Sequence, residues 1–129
     1  MIVADSSAWI DYLRDARTPT TDRLERLLGR GRLLLGDIIL CEVLRGARDE
    51  ADAIRIREKL SALPVVDMVG ETVAAQAAFN YRLLRRQGVT VRNTVDLLIA
   101  TFCITNGHQL LHNDRDFAPM VQHLGLVEA

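Results

Sequence analysis

The strongest constraint on the fold is a set of very short apolar runs, each set off by turn or capping residues from stretches of helical periodicity. Ile2-Val3-Ala4, Leu33-Leu34-Leu35, Val65-Val66 and Leu110-Leu111 are each too short to cross a domain as a helix. All are continuous rather than alternating, the pattern of strands buried on both faces. Between them lie segments with apolar residues at helical spacing: Trp9, Ile10 and Leu13; Leu24, Leu27 and Leu28; Ile38 to Arg45; and Glu50 to Leu63, with Ile54, Leu60 and Leu63 inward. Further helices are expected from Glu71 to Gln87, from Asn93-Thr94 to Gly107, and from Asp116 to Leu124. Strands alternating with helices predict an α/β fold: a short parallel sheet of four or five strands, covered by helices on both faces. Leu126-Val127 is the candidate fifth, edge strand.

Local signals place the boundaries. Ser6 or Ser7 is expected to cap the first helix, Thr18-Pro19 opens the second, and Pro64 stops the helix before it. Gly46, Gly88 and Gly107 stand where helices end. No repeat, linker or low-complexity tract divides the 129 residues, so one domain over 1–129 is expected. With 49% apolar residues the chain can bury one core. It has no apolar stretch long enough to span a membrane and no basic N-terminal region before an apolar run, which points to a cytoplasmic protein without a secretory signal. Cys41 and Cys103 each sit in an apolar helical segment and read as buried free thiols.

Net charge is −1, so bulk electrostatics favours no partner. The distribution is more informative. Arg82, Arg85, Arg86 and Arg92 gather in one stretch, where guanidinium forks suit either phosphate or ordinary surface pairing.

In an open parallel sheet, ligands bind outside the carboxyl ends of the strands. Asp5 follows the first strand, and Asp114 and Asp116 follow the last. Glu42 lies in the apolar run IILCEVL and Asp96 in VDLLIA, surroundings in which a lone carboxylate is costly. Each acid has a purely structural alternative. Asp5 can cap a helix, Asp96 can join a capping arrangement with Asn93, Glu42 can pair with Arg45, and Asp114 can cap the last helix with Asp116 in its first turn. Five such roles clustering at one end of a sheet is harder to explain than convergence on a cation. Mg²⁺ or Mn²⁺ would offset the mutual repulsion and act on phosphate. Other chemistries fit badly. The chain has no phosphate loop, no dinucleotide fingerprint, no serine-hydrolase elbow and no zinc spacing among His108, His112 and His123. Ser7 stands where an aspartyl-phosphate enzyme would need a second aspartate.

Taken together, IVADSSAWIDYL, CEVLRGA, NTVDLLIATFCITNG and LLHNDRDFAPM resemble, in order and spacing, the PIN-domain ribonucleases, and within them the VapC toxins of bacterial type II toxin–antitoxin systems. The likeness covers essentially the whole chain. It implies a Mg²⁺- or Mn²⁺-dependent endoribonuclease that cuts cellular RNA (tRNA, rRNA or mRNA) and is silenced by a VapB-like antitoxin. Homodimers and toxin–antitoxin hetero-oligomers are also implied. By matching positions it implies an acidic quartet of Asp5, Glu42, Asp96 and Asp114, with Asp116 accessory, Asp5 and Asp96 as the direct metal ligands, and Ser7 facing the site. His112 departs from the Ser or Thr that the resemblance leads one to expect. An imidazole there would alter metal affinity or the pH optimum, or merely fill the same space. Arg115, in an extended segment, would point away from both flanking acids toward phosphate or solvent. The antitoxin is expected to lay an apolar helix near Trp9, unless Trp9 is core, and to aim an arginine at the carboxylates. A catalytically weak nucleic-acid- or partner-binding module is the alternative of a different class, and a phosphatase or DNase would share the same site.

Overall fold

The computed structural model describes residues 1–129. Four parallel strands form its centre: β1 (Ile2–Ala4), β2 (Leu33–Gly36), β3 (Val65–Val66) and β4 (Gln109–Leu111). Their spatial order is β3-β2-β1-β4, with Val3 registered against Leu34 on one side and Leu110 on the other. Consecutive strand residues point to opposite faces, yet Ile2, Val3 and Ala4 are all buried. Helices therefore cover both sides of the sheet, as expected from the unbroken apolar runs.

The helices are α1 (Ser6–Leu13), α2 (Pro19–Leu27), α3 (Asp37–Arg45), α4 (Glu50–Leu60), α5 (Gly70–Arg86), α6 (Thr94–Asn106) and α7 (Ala118–Leu124). A one-turn 3₁₀ helix at Arg115–Phe117 precedes α7. Helix α6 buries residues around its whole circumference, including Leu97, Ile99, Ala100, Phe102 and Cys103, which makes it the central helix. It is locked to α5 by a buried hydrogen bond from Asn80 Nδ2 to Thr101 Oγ1 at 3.1 Å. Gly107, with φ of +69°, ends α6 and turns the chain into β4.

Several local expectations are corrected. The cap of α1 is Asp5, not Ser6 or Ser7, because the chain leaves β1 extended at Asp5 and the aspartate accepts from Ser7 N. Helix α4 stops at Leu60, where the Ser61 hydroxyl takes the Glu58 carbonyl, and Ile54 faces solvent while Ile56 turns inward. Gly46 caps α3 at an ordinary negative φ, bonding to Val43 O, so no left-handed residue is needed there. Leu126-Val127 forms no strand. The C-terminal tail makes one parallel bridge, Leu110 to Glu128. Cys41 is exposed, so only Cys103 is a buried thiol. Trp9 is 1% exposed and belongs to the core.

Topology places the site. From β1 the chain steps outward to β2 and β3, then returns to lay β4 on the other side of β1. The strand order reverses between β1 and β4, and the crevice at their carboxyl ends is where such sheets hold ligands.

Candidate active site

Asp5 and Asp114 come to that crevice from its two sides. Asp5 N donates to Leu111 O at 2.8 Å, pinning the end of β1 to the end of β4. The Asp5 side chain caps α1: its Oδ2 accepts from Ser7 N at 3.1 Å and from Ser7 Oγ at 2.7 Å. Its Oδ1 is buried and has no partner. Ser7 Oγ in turn accepts from Asn113 N at 3.1 Å, tying the start of α1 to the loop after β4. Asp114 caps the 3₁₀ turn, accepting from Asp116 N at 2.9 Å. The capping roles open in the sequence are thus real for Asp5 and Asp114, and they leave carboxylate oxygens free.

Asp96 stands in the first turn of α6 and is 6% exposed. Asn93 caps that helix by accepting from Val95 N, and Asp96 takes no part in the cap. Glu42, on α3, keeps a buried Oε1 without a hydrogen-bond partner. No basic side chain forms an ion pair with any of these acids; the pairs present are Arg48–Asp52, Arg55–Asp52 and His112–Glu128.

The electrostatics records the convergence. Burial, and then the charges of Asp5, Asp114, Glu42 and Asp116, push the Asp96 carboxyl up to about 7. Burial raises Asp5 against the opposing bonds from Ser7 and Ser6, and Asp114 adds a little. Glu42 is raised by burial and then by Asp5, with the Ser6 side chain and Arg45 acting the other way. The tightest grouping is Asp96, Asp114 and Asp116, whose carboxylate oxygens lie within 4.8 Å of one another. Asp5, the foremost of the charges acting on Asp96, also keeps its Oδ1 free, while one oxygen of Asp5 and one of Asp114 are taken up by capping bonds. An all-oxygen donor set with unpartnered buried oxygens and no ion-paired basic side chain suits a hard divalent cation.

The arginines divide. Arg92 and Arg115 line a cleft together with Asn93, Asp96 and Asp116. Arg82, Arg85 and Arg86 are exposed on α5, with Arg82 over the Phe79 ring and Arg85 near the Tyr81 hydroxyl, and they do not line it. Arg115 reaches the cleft because its segment is a 3₁₀ turn rather than extended. His112 does not face the carboxylates. Its ring packs on Phe117, Nδ1 accepts from Asp114 N at 3.1 Å, and Nε2 lies 2.6 Å from Glu128 Oε2. Asn113 and Glu128 escaped the sequence reading, and no spacing signal links either to the acids they serve.

The family model described as PIN domain matches residues 2–120. The VapC ribonuclease Mb1587 of Mycobacterium bovis is 34% identical over 119 residues, covering 91% of this chain and 89% of that protein. Ribonuclease VapC11 of Mycobacterium tuberculosis matches with the same identity and coverage. Among solved structures, VapBC2 from Rickettsia felis, bound to a DNA fragment from its promoter, superposes with a TM-score of 0.76. It covers 100% of this chain and 98% of that one at 20% identity, a likeness of fold.

Proposed function

The chain belongs to the PIN-domain family, and from that premise we propose that it is the ribonuclease toxin of a type II toxin–antitoxin pair. It cuts cellular RNA by metal-assisted hydrolysis of a phosphodiester bond. One observation carries the reading: Asp5, Asp114, Glu42 and Asp116 all act electrostatically on the buried Asp96, and none of the five is ion-paired to a basic side chain.

Asp96, Asp114 and Asp116 would hold Mg²⁺ or Mn²⁺, with the free oxygens of Asp5 and Glu42 completing the acidic wall. Bound there, such a cation supplies an activated water and screens charge developing on the phosphate. The chain's own residues do the rest. Ser7 holds Asp5 in one rotamer, and the bond it receives from Asn113 keeps the loop after β4 in place. Arg92 and Arg115 flank Asp96 and Asp116 and bind the RNA backbone, which acids alone would repel.

The partner is a VapB-like antitoxin, a reading supported by the VapC names of the relatives and the VapBC likeness. Trp9 cannot anchor its helix, being core. Ile10, Leu13, Val43 and Ile56 instead line a groove that fits an apolar helix, with Arg14 on its rim and Arg48 and Arg55 paired there with Asp52. Homodimers and toxin–antitoxin hetero-oligomers follow from the same reading. No helix is long and apolar enough to cross a membrane, and an RNA-cutting toxin acts in the cytoplasm.

The test is cleavage of RNA by purified protein with Mg²⁺ or Mn²⁺, abolished by EDTA. Asp96→Asn should lose activity while keeping its circular dichroism spectrum. Undiminished cleavage by Asp5→Asn, Asp96→Asn would overturn the reading.

A further inference from the structure

The loop that carries Asp114 is held from behind by a part of the chain with no contact to the other acids. His112 turns its ring onto Phe117, 4.8 Å between centroids, and is nearly covered. Its Nδ1 accepts the Asp114 N–H at 3.1 Å, so the ring proton sits on Nε2 and is donated to Glu128 Oε2 at 2.6 Å. The Glu128 side chain is half exposed, but the backbone on either side of it is held. Leu110 N donates to Val127 O at 2.9 Å, and Ala129 N donates to Leu110 O at 3.0 Å. Leu126 is buried, and its N–H bonds to Met120 O at 3.2 Å. The tail therefore lies as a strap along β4 and brings one carboxylate over the ring.

We propose that Glu128 and His112 form a positioning relay for Asp114. The tail carboxylate sets the tautomer and tilt of the ring, and the ring sets the direction of the Asp114 backbone N–H.

The need for it is electrostatic. Asp114 and Asp116 stand on a short surface turn, with carboxylates within 4.8 Å of each other and of Asp96. Repulsion pushes such a turn outward, and its own bond, Asp116 N to Asp114 Oδ1, joins two residues of the same turn. The loop is bonded to other segments through Asn113 N to Ser7 Oγ, Asn113 Nδ2 to Asp11 Oδ2 and Thr20 Oγ1 to His112 O, none of which reaches Asp114 itself. The Asp114 N–H bonds within the loop to His112 Nδ1, and only the bond from His112 Nε2 to Glu128 carries that link out to the tail. Neither His112 nor Glu128 touches a site carboxylate, so both act through the backbone.

The test uses the full chain with two readouts: hydrogen exchange of the Asp114 amide by NMR, and Mn²⁺ binding followed by electron paramagnetic resonance. Only the second rests on the proposed function. Losing one net hydrogen bond corresponds to roughly 2- to 12-fold, so Glu128→Ala should speed Asp114 exchange and weaken Mn²⁺ binding by about that factor. Glu128→Gln keeps an acceptor for Nε2–H and should restore both. His112→Asn places an amide oxygen near the Nδ1 position; in that background Glu128→Ala should have no further effect. Unchanged Asp114 exchange in Glu128→Ala, or Glu128→Gln behaving like the alanine variant, would overturn the relay. So would an equal effect of Glu128→Ala in the His112→Asn background. If the parent protein took no Mn²⁺ while Glu128→Ala still loosened the Asp114 amide, the proposed function would fall and the relay would stand.

Discussion

Ser7 Oγ donates to Asp5 Oδ2 at 2.7 Å while accepting from Asn113 N at 3.1 Å, so one hydroxyl joins the two sides of the acidic crevice. Ser7→Ala leaves the cap itself, Ser7 N to Asp5 Oδ2, intact and removes only the hydroxyl. The expected loss of stability is about 1 to 2 kcal/mol, since the Asn113 N–H is exposed enough to find water. RNA cleavage should fall further than this, because Asp5 and the loop after β4 are no longer held together. Ser7→Thr should retain most activity. Urea denaturation and single-turnover cleavage read the two effects separately.

Stability of the metal-free protein should fall as pH rises from about 4 to about 7. Asp96 has its folded pKa raised from 3.8 to about 7, so in this window the native state holds a proton that the unfolded chain has released. The stabilisation is complete below the unfolded value and is lost as pH passes through the folded one. Asp5 and Glu42 shift in the same direction, burial being the largest cause for each. Asp52 is lowered to about 2 by the Arg48 backbone N–H and by Arg55, and its opposite effect lies below this window. Urea midpoints in EDTA at about pH 5 and about pH 8 should show the slope, with Asp96→Asn flattening it and Mn²⁺ opposing it.

Substitution of the arginines should separate two groups. Arg92→Ala and Arg115→Ala, both in the cleft with Asp96 and Asp116, should each raise the KM for RNA by about 3- to 10-fold and reduce its salt dependence. Arg82→Ala, Arg85→Ala and Arg86→Ala, outside the cleft, should change KM by less than about twofold. Equal losses in both groups, measured on one short RNA at two salt concentrations, would contradict the assignment.

Gly36, where β2 passes directly into α3, is a steric requirement. Its φ of −75° suits any residue, but a Cβ there would lie 2.1 Å from Met68 Sδ, and Met68 is fully buried. Gly36→Ala should cost about 1 to 3 kcal/mol as an overpacked core. Met68→Ala is itself destabilising, but in that background Gly36→Ala should cost less, a coupling readable in a double-mutant cycle of urea midpoints.

The elements were legible because their signals are local. Unbroken apolar runs marked β1, β2, β3 and β4, and capping residues and glycines marked the ends of α2, α5 and α6 within a residue or so. Where a boundary or face depended on tertiary contacts the reading slipped. Ile54 and Ile56 differ in burial through the position of α4 against α3, and the tail after Leu126 meets β4 in a single bridge instead of a strand. The acids were visible because carboxylates stand out in apolar runs and directly behind strands.

The amino-acid sequence by itself determined that a parallel α/β domain would form, marked Glu42 and Asp96 as carboxylates costly in their apolar runs, and picked out Asp5, Asp114 and Asp116 by their place behind strands. Periodicity and desolvation are properties of residue types and their spacing, and they need no knowledge of neighbours. Only the tertiary structure decided which carboxylates are nearest, that Arg92 and Arg115 reach them while Arg82, Arg85 and Arg86 do not, and that His112 serves Asp114 through its backbone. The long-range part of this is the meeting of Arg92 and Asp96 with Arg115 and Asp116, and of His112 with Glu128, which no local signal encodes. These meetings depend on the reversal of strand order beside β1, which brings residues 5 and 114 to one crevice and lays residue 128 behind it.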